Sequence, residues 1–306
     1  MVEPRFFLGT HQPGWLRDGV APLFVSDRQL CGYRRLPVAA GPSALDSGAF
    51  SVLADGGRFD PPAVYVARVR RYASEVGRLV WAAPQDWMCE PFILARTGLR
   101  VAEHQCRTVA NYTHLRDLAP DLPIVPVVQG WTVDDYRRCV DLYAAPVSRG
   151  GAGLDLSRVP LVGVGSVCRR QSTAVAERIL TALHERGVTR LHGFGIKVLG
   201  LRRYGHLLAS ADSMAWSYAA RRAGRPLPGC TRHINCANCR RYAYAWYTDV
   251  STALHAAHAA SWQPTLFPLP ARPAAHQHRE STGPEVTGEV LRDMPRVSTA
   301  MVGELS

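Results

Sequence analysis

Lysine is almost missing from this chain: Lys197 is the single lysine in 306 residues, so nearly all of its 36 basic side chains are arginine. Alanine is abundant as well, and the two features together are the mark of a GC-rich coding sequence. That bias explains the choice of arginine over lysine, but not an excess of bases over acids. Long hydrophobic runs are missing too, because no stretch approaches the roughly 18–20 apolar residues that cross a bilayer. The opening MVEPRFFLGT has no charged start followed by an apolar run and a small-residue cleavage site, so no secretion signal and no membrane association are expected. Cysteine is sparse for a disulfide scaffold. There are eight, five of them scattered singly, which predicts a protein of a reducing cytoplasm. No GxGxxG opens a helix after the first strand, which argues against an open dinucleotide-binding sheet. No segment repeats at a fixed period.

What is present begins with charge. The formal net charge is +11, and residues 272–306 hold four arginines against five acids, leaving +12 on the body before them. A basic body suits a polyanion, since phosphate contacts release counterions. Charge alone leaves a nucleic-acid partner and a plainly basic surface both open.

Eight short apolar runs recur along the body: Phe6–Thr10, Leu23–Ser26, Val38–Ser47, Leu79–Asp86, Ile124–Gly130, Leu161–Ser166, Leu191–Lys197 and Ala211–Trp216. Between them, Val64–Val76, Arg96–Leu118, Thr132–Tyr143 and Ser172–Arg186 carry apolar residues at helical spacing. Strands alternating with amphipathic helices predict a parallel sheet, and eight such units in this length predict an α/β fold of the (β/α)8 TIM barrel type. Asp46, Asp86, Gln129, Gly165 and Asp212 each close one of the apolar runs. In a barrel those ends meet at one face. An acid at a strand end is often only a helix cap, but five converging polar or glycine positions point to a site. After Trp262 the chain turns proline-rich and polar. We therefore divide it into a barrel over 1–222, a small zinc-binding subdomain with a closing helix over 223–264, and a disordered tail over 265–306. His276 and His278 in that tail read as stray histidines.

Three cysteines, Cys230, Cys236 and Cys239, fall in one ten-residue window, CTRHINCANC. Cys-x2-Cys lets two sulfurs reach one tetrahedral ion, and a third sulfur six residues earlier makes a structural zinc ion the expected occupant. The fourth ligand is His233, giving C-x2-H-x2-C-x2-C, or else His255 or His258 on the helix expected to follow. Four protein ligands close a site, so the metal is expected to be structural rather than catalytic.

Asp46 in DSGAFS and Asp212 in ADSMAWS stand at the ends of the third and eighth strand units. Opposed carboxylates in a barrel mouth can divide nucleophilic and acid/base work at a sugar carbon, the logic of glycoside cleavage. With DSGAFS, PQDWMCEP, VVQGW, LVGVGS, ADSMAWS and the cysteine cluster following in that order, the sequence resembles the tRNA-guanine transglycosylase superfamily over about residues 5–260. That superfamily has a (β/α)8 barrel, a D-S-G-G-[FY] motif, a later catalytic aspartate and a C-terminal zinc subdomain. PQDWMCEP, VVQGW, GVGS, HGFGIK and HxNCxNC are similar more narrowly to its DNA 7-deazaguanine transglycosylase branch.

The resemblance implies a base exchange that replaces guanine in DNA with a 7-deazaguanine such as preQ0 through a covalent glycosyl-enzyme. It implies Asp212 as nucleophile and Asp46 as the acid/base. It places Asp86, Gln129, Gly130, Gly163, Gly165 and Ser47 around the purine. The implied partners are DNA in preference to tRNA, the deazaguanine base, and other proteins of a DNA-modification system. Arg169, Arg170, Arg202, Arg203, Arg240 and Arg241 are candidate phosphate contacts. Two departures stand out: Ala49 replaces the second glycine of the first motif, and the first cysteine is shifted from the C-x-C-x2-C of the tRNA enzymes. Exchange in tRNA, a non-catalytic nucleic-acid-binding barrel, and a hydrolase of free nucleosides are the alternatives.

Overall fold

The computed structural model describes residues 4–231 and 233–260; the expected tail, with His276 and His278, lies outside them. Eight parallel strands run in the order expected: β1 (Arg5–Thr10), β2 (Leu23–Ser26), β3 (Ser43–Asp46), β4 (Leu79–Ala82), β5 (Val127–Val128), β6 (Val162–Val164), β7 (Leu191–Gly193) and β8 (Ser210–Ser213). They form one sheet in the order β4-β3-β2-β1-β8-β7-β6-β5. Its two edges meet through a parallel bridge between Ala82 and Ile124. There Ala82 N–H donates to Pro123 O at 3.0 Å and Val125 N–H to Ala82 O at 3.0 Å. The sheet thus curls into a ring of parallel strands with helices around it, the (β/α)8 plan.

The helices are α1 (Asp27–Leu30), α2 (Ala49–Ala54), α3 (Pro62–Glu75), α4 (Pro91–Thr97), α5 (Val101–Leu118), α6 (Val133–Ala144), α7 (Ala174–Glu185), α8 (Val198–Tyr204), α9 (Ala215–Ala223) and α10 (Arg240–Ala260). The stretch Arg96–Leu118, read from the sequence as one helix, is two. Gly98 ends α4 in the left-handed region at φ 68°, where glycine carries no Cβ penalty, and α5 restarts at Val101. The run Val38–Ser47 likewise yields a strand only from Ser43. Ahead of it lie Pro37, Gly41 and Pro42, and Val38 is exposed.

The strands alternate faces with period two. Phe6, Leu8, Val25, Leu45, Val128, Val162, Val164, Leu191 and Ala211 join the layer packed under the helices. The opposite parity turns inward, where Phe7, Phe24, Ala44, Trp81, Val125, Leu161 and Phe194 fill the lower barrel. Going up the same inward rows, Ala44 leads to Asp46, Val127 to Gln129, Gly163 to Gly165, and Ser210 to Asp212. One alternation therefore gives the barrel an apolar plug below and a polar mouth above.

After β8 the chain forms α9, then the cysteine loop, then α10, whose Trp246 meets Phe6 of β1 edge-on at 5.8 Å. The loop is pinned to the segment after β1. His11 Nε2 lies 2.8 Å from Asn238 Oδ1, Arg240 donates to both carboxylate oxygens of Asp18 at 2.9 and 3.0 Å, and Tyr244 O–H donates to Asp18 at 2.7 Å. Buried Trp216 of α9 donates to Gly9 O at 2.8 Å and stacks on His11. Since β1 ends at Thr10, these contacts hold the cysteine loop at the mouth end of the barrel.

Candidate active site and metal centre

Asp46 ends β3 in a tight turn. Its Oδ1 accepts from Gly48 N–H at 3.0 Å. Gly48 has φ 74°, and a Cβ there would sit 2.8 Å from Arg28 Cγ, so glycine is required. Burial raises the Asp46 pKa above the ordinary carboxylate range despite that hydrogen bond, and the charge of Asp212 pushes it further up. The two carboxylates thus feel each other across the mouth. Ser47, next in the turn, is buried, and its Oγ has no hydrogen-bond partner among the described residues. Ala49, the departure from the glycine of the motif, starts α2 and packs with Leu53, Met88 and Ile93.

Asp212 lies on β8, paired in register with Phe7 of β1. Its side chain is mostly buried. Oδ1 accepts from Gly195 N–H at 3.0 Å and lies 3.3 Å from His192 Nε2. His192, fully buried on β7, places its Nδ1 2.8 Å from Ser210 Oγ.

Asp86, Gln129, Ser166 and Glu90 form a buried chain across the floor of the mouth. Gln129 Nε2 donates to Asp86 Oδ2 at 2.5 Å. Ser166 Oγ lies 2.7 Å from Gln129 Oε1 and 2.8 Å from Glu90 Oε2, and it accepts from Cys89 N–H at 2.8 Å. One hydroxyl hydrogen serves one acceptor. With the amide of Gln129 oriented by Asp86, two acceptors compete for the Ser166 hydrogen, Gln129 Oε1 and Glu90 Oε2. Burial, the dominant cause, raises the Glu90 pKa against the lowering effect of its hydrogen bond to Ser166. Burial also pushes Asp86 up to about 7, against the lowering effect of Gln129.

The backbone around Gln129 is fixed by its neighbours. Gln105 Nε2 donates to Gln129 O and to Asp135 O, both at 2.7 Å. Asp135 and Thr132 form a capping box at the start of α6. Gly130 is pressed on that turn: a Cβ there would lie 2.7 Å from Asp135 Cβ. Gly165 leaves room for the Gln129 amide itself, since a Cβ would fall 2.1 Å from its Nε2. Gly163, one layer deeper, faces Phe194 and Val127, whose nearest atoms would lie 2.6 and 2.9 Å from a Cβ at that position. Sequence reasoning brought together Asp46, Asp86, Gln129, Gly165 and Asp212 but passed over His192, Ser166 and Glu90. All three lie inside motifs already singled out, HGFGIK, LVGVGS and PQDWMCEP. His192 carried a readable signal, the inward parity of its strand.

The four expected metal ligands converge. One ligand atom from each of Cys230, His233, Cys236 and Cys239 lies within 4.8 Å of all the others. Cys230 and Cys239 Sγ are 3.8 Å apart and His233 Nε2 is 3.3 Å from Cys236 Sγ. A tetrahedron with Zn–S bonds of about 2.3 Å has S···S edges of about 3.8 Å, so the cluster can hold a metal ion of that size. His255 and His258 are elsewhere. Their Nε2 atoms lie 3.1 Å from Pro4 O and 2.7 Å from Leu208 O.

Of the candidate phosphate contacts, Arg203 pairs with Glu177 and Arg240 with Asp18. Arg170 lies over the Trp131 ring at 4.1 Å and donates to Ser166 O at 3.2 Å. Arg169 lies 4.5 Å over the half-exposed ring of Phe92, and Arg202 is exposed. A cavity of about 890 Å³ opens at the other end of the strands, lined by Arg5, Trp81, Arg116 and Arg190 among others, and none of the mouth carboxylates reaches it.

The family model of DpdA, DeoxyPurine in DNA protein A, matches residues 2–277, most of the chain. The chain belongs to the DpdA family. Membership in the DpdA family agrees with the order of motifs and supports the general class of DNA 7-deazaguanine transglycosylase-like proteins. No curated protein matches the chain. Among the described residues no helix is long and apolar enough to cross a membrane.

Proposed function

We propose that the protein exchanges guanine in DNA for a 7-deazaguanine such as preQ0. The observation that carries the reading is the facing pair Asp46 and Asp212 above the buried Asp86–Gln129 edge, in a chain of the DpdA family. A glycosidic carbon is shielded in a duplex, so the target nucleotide leaves the stack to reach the mouth. Asp212 attacks C1′ as the bond to the purine breaks, giving a covalent glycosyl-enzyme. Asp46, whose raised pKa suits a group that carries a proton, protonates the leaving base and takes a proton from the entering one. Asp86 and Gln129 read the purine edge, and the buried Ser47 hydroxyl offers a bond that a bound base would satisfy.

A zinc ion on Cys230, His233, Cys236 and Cys239 supplies no chemistry at C1′ in this scheme. It holds the loop that Asn238 and Arg240 fasten to the β1 end. Arg169 with Phe92, exposed Tyr218 with Arg222 and exposed Arg202 offer the cations and aromatic faces that phosphates and unstacked bases need.

The test is incorporation of labelled preQ0 into DNA and into tRNA by the purified protein, with nucleoside mass spectrometry of the product. Label in DNA is expected. Label in tRNA alone would replace DNA with tRNA as the substrate, and binding without incorporation would leave a non-catalytic barrel.

A further inference from the structure

We infer that His192 and Ser210 are positioning residues that select which oxygen of Asp212 attacks, an inference that rests on the proposed base exchange. The two Asp212 oxygens are not equivalent. Oδ1 takes both Gly195 N–H at 3.0 Å and His192 Nε2 at 3.3 Å, while Oδ2 has no hydrogen-bond partner among the described residues. A carboxylate only accepts, so Nε2 carries the hydrogen toward Asp212. In the neutral ring Nδ1 is then an acceptor, and the Ser210 hydroxyl 2.8 Å away is its donor. Asp212 thereby fixes the tautomer, Ser210 holds the ring through Nδ1, His192 fixes the carboxylate through Oδ1, and Oδ2 is left free of protein hydrogen bonds among the described residues.

The surroundings hold this chain in one arrangement. The imidazole is fully buried, with ring centroids of Trp81 at 4.5 Å, Phe194 at 4.8 Å, Phe24 at 6.0 Å and Phe7 at 6.1 Å. Among the described residues the imidazole has no other polar partner, and rings on so many sides leave it little room to turn. A histidine in this apolar plug is costly unless both nitrogens are paired, and the pairing it finds ends on the nucleophile. In the covalent step, Oδ2 supplies the electron pair of the new O–C1′ bond, the C1′–N9 bond breaks, and its pair leaves with the purine, which is protonated from Asp46. His192 transfers no proton. It keeps the charge of the carboxylate on a fixed axis, as the orienting partners of other reactive groups do.

The decisive experiment compares His192→Gln and Ser210→Ala with wild type in single-turnover formation of the trapped glycosyl-enzyme, alongside 15N spectra of the labelled imidazoles. His192→Gln is expected to slow adduct formation by about 10–100-fold with KM for DNA and for the incoming base unchanged. Ser210→Ala is expected to slow it less, leaving Nε2 protonated while shifting the Nδ1 resonance of His192, which loses its hydrogen bond. Thermal unfolding shows whether each variant is folded. If His192→Gln does not fold, Ser210→Ala decides. A folded His192→Gln protein forming adduct at the wild-type rate, or a Ser210→Ala protein with unchanged Nδ1 resonance and rate, overturns the inference. Failure of the underlying reading looks different: wild type then forms no adduct, or Asp212→Asn forms it as fast as wild type.

Discussion

At the residue scale, the two mouth aspartates differ from Asp86 in what surrounds them. Asp212→Asn is expected to lose base exchange altogether, because an amide is no nucleophile at C1′. An Asp212→Asn protein exchanging at the wild-type rate would exclude this nucleophile. Asp86 makes a separate prediction about stability. Its native pKa, about 7, lies above its ordinary 3.8. Below the ordinary value both folded and unfolded chains hold the proton. As pH rises from there toward 7 the unfolded chain gives it up first, so the folded state loses stability across that window and levels off above it. At about 1.36 kcal/mol per unit, the loss is on the order of 4 kcal/mol. Asp86→Asn is therefore expected to flatten the fall in unfolding free energy between about pH 4 and 7, read from urea titrations at several pH values. Unchanged slopes would mean that Asp86 titrates normally in the folded chain. Burial raises Asp46 and Glu90 too, so some slope should remain in the variant.

At the scale of elements, the floor of the mouth depends on β5 and β6 fitting together. Gly165, just past the end of β6, accommodates Gln129, and a Cβ there would collide with the amide at 2.1 Å. Gly165→Ala is expected to push Gln129 off Asp86, costing about 1–3 kcal/mol of stability and raising KM for the purine more than it lowers kcat. Kinetics with varied free base would show it, and an unchanged KM would remove Gln129 from base recognition. How far such elements were legible differs between them. The strands stood out because each is a short apolar run punctuated by a polar or glycine residue. The helix break at Gly98 was hidden, because Arg96–Leu118 keeps its helical spacing across the turn. The chain Asp86–Gln129–Ser166–Glu90 was half hidden. Asp86 and Gln129 end apolar runs, while Glu90 follows four residues after Asp86 in an irregular segment with no period to mark its direction.

For the whole molecule, the cysteine loop and the charge carry the expectations. Elemental analysis is expected to find about one zinc per chain. Chelation is expected to lower the thermal midpoint and to free the loop held by Asn238 and Arg240, weakening DNA binding. Metal-free protein with its full midpoint and full exchange would sink the structural role. The +12 body should make DNA binding steeply salt dependent. If about six phosphates are contacted, affinity falls roughly 10³-fold between 50 and 200 mM salt. A flat response would favour a hydrolase of free nucleosides.

Some of this was determined by the sequence alone. The alternation of strand and helix, the basic body, the order of motifs and the cluster of three cysteines are all local patterns. They follow from side-chain period and spacing, which the chain carries wherever it folds. Tertiary structure decided what lies between distant segments. It chose His233 over His255 and His258, because α10 carries those two away toward Pro4 and Leu208. It set the pKa of Asp86, because burial comes from strands and helices far apart in sequence. It joined Ser210, His192 and Asp212 into one chain of hydrogen bonds, since only the pairing of β7 with β8 turns those three side chains inward together.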